Sequence, residues 1–255
     1  MRVQQLSQRL NIRHDGKITY ITVGAGERRN ALTSQDWTAL RQAFLTMATD
    51  TQLGVVVLRG AGATFSSGSD IGEWAAASAP AVDRSFNYME EAFQSIESLP
   101  VPVIAIVEGV AVGAGCQLAL ACDLQLLARS ARIGMPIAQL GILISPAFAA
   151  RLVTLTGPAI ARDLLYTGRL LTATEAAHVG LVTRTVDDGA LQAEVERLVT
   201  SIIDQPTASV RAAKSAVAAL LAPVRETAEQ SRGPDAVAYA DFTNGVRNFL
   251  KSHIK

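Results

Sequence analysis

Two glycine-punctuated segments hold the residue types that could do chemistry. Residues 109–115 read Gly-Val-Ala-Val-Gly-Ala-Gly, between an apolar run and a short apolar helix. Small residues let the backbone approach a ligand closely. The first turn of a helix leaves N–H groups free at the positive end of its dipole. A second such turn is Phe65-Ser66-Ser67-Gly68-Ser69-Asp70-Ile71, which also follows an apolar run. One N–H from each turn could polarise a single carbonyl and hold an enolate oxygen. The same glycines equally suit tight strand–helix turns with no ligand. Residues 109–115 lack the G-x-G-x-x-G pattern and the P-loop Lys-Ser/Thr, so no phosphate cradle is indicated. Glu90 is the ionisable candidate. It lies four residues after Phe86 and three before Phe93, on one face of an expected helix. Beside an apolar pocket it could exchange protons with an enolate; with Glu91 it could equally form a solvated helix edge. Cys116 and Cys122 read as small core residues, and Asp123 as a structural hydrogen-bonding group. His14, His178 and His253 are scattered, so no metal site is expected.

Elements must position these groups. Residues 17–23, 54–60, 102–107 and 123–129 read as strands, and the continuous apolar runs suit strands buried on both faces. Trp37, Leu40, Phe44 and Met47 predict a helix over 35–48, capped by Thr33 or Ser34. Phe86, Met89, Phe93 and Ile96 predict a second, stopping before Pro100, and residues 114–122 a short third. Pro146 suits a first helical turn, and that helix is expected to end at Gly157. Thr172 and Glu175 have capping-box spacing. One more strand follows Gly180, and from about residue 190 the pattern is helical. The reading is an α/β core over 1–189 with a helical region over 190–255. A solenoid-like spiral and a Rossmann-like sheet both fit this alternation.

Composition narrows the function classes. The 255 residues are 49% apolar, which excludes disorder, and 23 Lys+Arg balance 23 Asp+Glu. Without a basic excess no nucleic-acid partner is expected. The N-terminus has no apolar core of a secretory signal. The longest charge-free run within 101–128, Gly109 to Cys122, is too short to span a bilayer. No membrane partner and a cytoplasmic location are expected.

Four segments occur in a specific order: Arg28-Arg29-Asn30-Ala31-Leu32, the 65–71 turn, residues 102–123, and Leu-Thr-Ala-Thr-Glu-Ala-Ala-His-Val-Gly-Leu-Val at 171–182. Together they resemble the crotonase (enoyl-CoA hydratase/isomerase) superfamily, from about residue 10 to the C-terminus. The resemblance implies a spiral of ββα units whose C-terminal helices build a homotrimer or a dimer of trimers. It implies an acyl-CoA thioester as partner, with CoA entering as part of the substrate and no separate cofactor. The thioester oxygen would accept from the N–H groups of Ser69 and Ala114. The backbone of Ser67, Asp70 and Ile71 would line the adenine pocket. Arg28, with Ala31 close by, would meet the CoA phosphates, and Phe249 and Lys251 could reach a neighbouring subunit's nucleotide.

The sequence departs from the pattern where relatives carry two glutamates. Gln117 and Ile137 stand at those positions. Gln117 could bond an acyl group or water, or satisfy buried polar neighbours. Some relatives carry an aspartate where this chain has Ser145, which reads as a helix N-cap. Ile137 and Leu140 make the expected acyl side apolar. Three functions follow: an enzyme stabilising a CoA-thioester enolate with weak or altered hydratase activity, a non-catalytic acyl-CoA binding or delivery protein, or a decarboxylase or hydrolase of CoA thioesters.

Overall fold

The structure, a computed structural model, describes the backbone of residues 2–231 and 235–253 and the side chains of 5–231 and 235–252. The chain opens with three antiparallel strands, β1 (Arg2–Ser7), β2 (Leu10–Asp15) and β3 (Ile18–Val23). Parallel strands then join the same sheet: β4 (Val55–Gly60) and β5 (Val103–Val107). A short β6 (Val110–Val112) leaves that sheet before β7 (Leu124–Ala128) returns to it. Strands β8 (Arg132–Gly134) and β9 (Leu170–Thr172) pair with β6 in a second sheet of order β6-β8-β9. The last strand, β10 (Arg184–Val186), completes a seven-stranded sheet of order β1-β2-β3-β4-β5-β7-β10. No later strand inserts between two earlier ones. A Rossmann-like sheet reverses its order around the first strand, so the spiral reading holds.

The helices are α1 (Ser34–Met47), α2 (Ala79–Glu97), α3 (Ala114–Leu120), α4 (Pro146–Thr167), α5 (Ala173–His178), α6 (Leu191–Ile203), α7 (Thr207–Gln230) and α8 (Tyr239–His253). Thr33 and Asp36 close a capping box on α1, and Thr172 and Glu175 close another on α5. Helix α2 buries Val82, Phe86, Met89, Phe93 and Ile96, one stripe at helical spacing. It packs on α1, where Trp37 meets Phe93 edge-on at 5.4 Å.

One helix has a second piece. The first piece of α4 ends at Gly157 as expected, at φ 74°, ψ 167°, and helical turns that the sequence did not announce resume to Thr167. Pro158 fits the start of the second piece because an opening turn has no use for its missing N–H. Strands β1 and β2 lie where the sequence analysis assigned no element.

Candidate active site

Asn30 sets the frame of the first turn. Arg28, Arg29 and Asn30 all take left-handed backbone angles, with φ of 46°, 52° and 58°. Such a run is strained for side-chain-bearing residues and needs outside support. The wholly buried Asn30 supplies it: Nδ2 donates to Ala61 O (2.9 Å) and Thr64 O (2.8 Å), and Oδ1 accepts from Gly26 N–H (2.9 Å). Leu32 then bridges Ser69. Leu32 N–H donates to Gly68 O and Asp70 N–H to Leu32 O, both at 2.8 Å. In a parallel bridge the residue between those two contacts points its own N–H the other way. Ser69 N–H is therefore turned away from Leu32.

The second turn meets the first at van der Waals contact. A Cβ on Gly68 would lie 2.9 Å from Ala114 N, and one on Gly115 would lie 2.3 Å from Ser66 O. Both sites demand glycine. Gly113 (φ 58°, ψ −123°) turns the chain into α3, whose first residue is Ala114. Among the described residues, neither Ser69 N–H nor Ala114 N–H donates to a protein acceptor. The Ser69 hydroxyl is spent elsewhere, accepting from Trp37 Nε1–H (3.2 Å) and donating to Met89 Sδ (2.8 Å).

Arg28 reaches back to this turn. Its Nη1 lies 2.9 Å from the Asp70 carboxylate, while its side chain stays 66% exposed. Arg9, which the sequence analysis did not single out, lies 3.4 Å from the same carboxylate and donates to Ala31 O (2.8 Å). Asp70 also caps the 3-10 turn that starts at Ile71, through Gly72 N–H (3.1 Å). Its backbone N–H and C=O bond Leu32 O and Glu73 N–H, and Ser67 N–H bonds Arg29 O (2.9 Å). No N–H of Ser67 or Asp70 is left for a ligand.

Behind α3 lies a buried polar cluster. Gln117 is wholly enclosed: Nε2 donates to Phe148 O (3.2 Å) and Oε1 accepts from Arg151 Nη1 (3.5 Å). Arg151 clamps Glu90 at 2.9 and 2.6 Å and Glu97 at 2.8 and 3.2 Å. Burial opposes the charge of Arg151, but the Glu90 hydrogen bonds and the Glu97 charge outweigh it and hold the guanidinium firmly protonated. This corrects both expectations for Glu90. It is no solvated edge, being 8% exposed, and its surroundings are not apolar, because both oxygens accept from Arg151. A buried carboxylate requires such a partner.

Ile137 is buried in the core, and Leu140 packs its backbone on Gly245 of α8. Ser145 Oγ accepts from Phe148 N–H (3.2 Å), the N-cap of α4. A cavity of about 560 Å³ opens beside α2 and the start of α4, lined by Phe86, Glu90, Ser145 and Phe148 among others. Asp123 accepts from Val103 N–H and Lys214 Nζ, both at 2.7 Å, a structural tie. Burial pushes the Cys116 thiol up to about 12 and raises that of Cys122.

The profile of the family described as Enoyl-CoA hydratase/isomerase matches residues 13–250. The chain belongs to this family. It is similar to the crotonyl-CoA hydratase of Syntrophomonas wolfei, 32% identical over 204 residues, which are 78% of this chain and 77% of that protein. An enoyl-CoA hydratase structure from Mycobacterium avium subsp. paratuberculosis superposes with a TM-score of 0.86 at 26% identity, covering 95% and 96% of the two chains. A Thermobifida fusca structure solved in complex with acetoacetyl-CoA superposes with a TM-score of 0.76 at 33% identity, covering 87% and 93%.

Seen as a family member, the chain shows which site residues its sequence hid. Among the described residues no cluster of His, Cys, Asp and Glu could hold a metal ion, and no helix is long and apolar enough to cross a membrane. Arg151 and Glu97 escaped notice because their pairing spans 54 residues and joins two helices. Helical spacing reports which residues share a face, not which charge a distant helix brings to that face.

Proposed function

We propose that this chain binds an acyl-CoA thioester and holds its carbonyl oxygen, or the derived enolate, between the N–H groups of Ser69 and Ala114. The observation that carries the reading is that these two N–H groups lie on touching turns and have no protein acceptor among the described residues. Preorganised donors of this kind are each worth about 3 kcal/mol of transition-state stabilisation. Arg28 stands exposed for a CoA phosphate; Ala31 follows it closely in the chain, Ser67 Oγ donates to its carbonyl oxygen, and Ile71 follows the Asp70 it pairs with. Ile137, Leu140 and Ser145 lie toward the acyl side. CoA enters with the substrate, so no separate cofactor is needed. The working unit is a homotrimer or a dimer of trimers, and the working compartment is the cytoplasm.

Hydration itself is slow on this reading. Adding water needs a group that takes its proton and another that protonates the α-carbon. Gln117 and Ile137 supply neither, and Glu90 is clamped by Arg151. The second reading is a non-catalytic acyl-CoA carrier, which the engagement of Gln117 and Glu90 favours. Incubating the protein with a panel of acyl-CoA thioesters in D2O, followed by mass spectrometry, tests both. Incorporation of deuterium at the α-carbon, or loss of a thioester, supports the enzyme; tight binding with neither supports the carrier. Absence of binding rejects both, and hydration of crotonyl-CoA at an ordinary hydratase rate rejects the assignment of residues 117 and 137.

A further inference from the structure

A guanidinium has five N–H donors, and Arg151 aims all of them at oxygens. Nε and one N–H of Nη2 serve Glu97, and the other N–H of Nη2 serves Glu90. Nη1 is divided between Glu90 Oε2 at 2.9 Å and Gln117 Oε1 at 3.5 Å. The enclosed cluster therefore holds two carboxylates against one guanidinium, with Arg225 lying 3.7 Å from Glu97. Gln117 also needs its NH2 group, which donates to Phe148 O. A carboxylate at residue 117 would set oxygen against that carbonyl oxygen. It would also bring a third negative charge to one guanidinium.

We propose that Arg151 is a positioning residue that fixes the Gln117 amide, and that Glu90 excludes a carboxylate from residue 117 because its own charge already neutralises the guanidinium both would share. Resting on the function proposed above, this makes Glu90 a determinant of reaction type. Beside a charged Glu90 the site accepts an amide at residue 117 in place of a carboxylate, and an amide cannot activate water. Glu97 is the weaker competitor, since it uses Nε and Nη2 and has Arg225 as a further partner.

Urea denaturation of five proteins tests this: the parent, Gln117→Glu, Glu90→Gln, Glu90→Gln/Gln117→Glu and Glu97→Gln/Gln117→Glu. Gln117→Glu alone should lower the midpoint by about 1 M. Adding Glu90→Gln should recover most of that loss, and adding Glu97→Gln clearly less. If Gln117→Glu does not fold, folding of its combination with Glu90→Gln counts as the recovery, and failure of both overturns the proposal. So does a Gln117→Glu protein as stable as the parent, or equal recovery from either glutamate. A second arm adds Ile137→Glu to Gln117→Glu, with and without Glu90→Gln, and follows crotonyl-CoA hydration. Hydration at least about 100-fold faster with residue 90 neutral supports the proposal, and equal hydration overturns it. No hydration in either, with the stability recovery intact, upholds the exclusion and overturns the role of Glu90 in reaction type, while the function proposed above stands or falls on acyl-CoA binding by the parent.

Discussion

Glycines 68 and 115 have no room for a methyl group, and the reason is the closeness of two backbones rather than flexibility. Gly115→Ala would drive a Cβ to 2.3 Å from Ser66 O. It should cost about 2 kcal/mol of stability, read by urea denaturation, and abolish acyl-CoA binding, read by calorimetry. A Gly115→Ala protein with the parent's stability and affinity would show that the turns need not touch. The cysteines make an opposite case. Cys116 and Cys122 are buried, and burial pushes the Cys116 thiol up to about 12. Neither should react with a thiol reagent in native protein at pH 8, and both should react in urea. Glycine turns were legible in the sequence because the constraint is local. The Glu90–Arg151 pair was not, because nothing near residue 90 announces a cation that arrives 61 residues later.

At the scale of elements, legibility followed burial. β4 and β5 are apolar on both faces, and their continuous runs marked them. β1 carries Gln, Ser and Arg, and β6, β8 and β9 are three residues each, too short for any period to register. The start of α6 is tied to β10 by one acidic side chain. Glu194 bonds Arg197 within its helix and Arg184 on the strand, and these hydrogen bonds lower its pKa to about 2. Its contribution to stability is therefore fully present above about pH 4.5 and lost as pH falls through about 2. The stability difference between the parent and Glu194→Gln should be visible at pH 6 and mostly lost by pH 2. The difference is small, because the pair is exposed to solvent. A constant difference across that range would show that the carboxylate charge is not its source.

The whole chain leaves one helix conspicuously bare. α7 exposes Val217 (59%), Leu220 (81%) and Val224 (42%), and its only fully buried residue is Ala228. Large apolar side chains at such spacing call for a covering surface. On the proposed trimer or hexamer, with α7 in its interface, Leu220→Glu should lower the sedimentation coefficient toward that of a single chain. An unchanged coefficient would remove α7 from the interface. The α/β class and the helical C-terminal quarter were readable from alternation alone, whereas the spiral topology was not, since periodicity does not report strand order. That order bears on synthesis. Each strand of the large sheet pairs with one already made, so the nascent chain can extend a single growing edge as it leaves the ribosome. No finished pair must be opened to admit a latecomer, although β10 pairs with β7 across a long intervening segment and should dock last. Ribosome-stalled chains ending just before residue 184 should already protect β3, β4, β5 and β7 from limited proteolysis, while chains ending before residue 103 should protect far less.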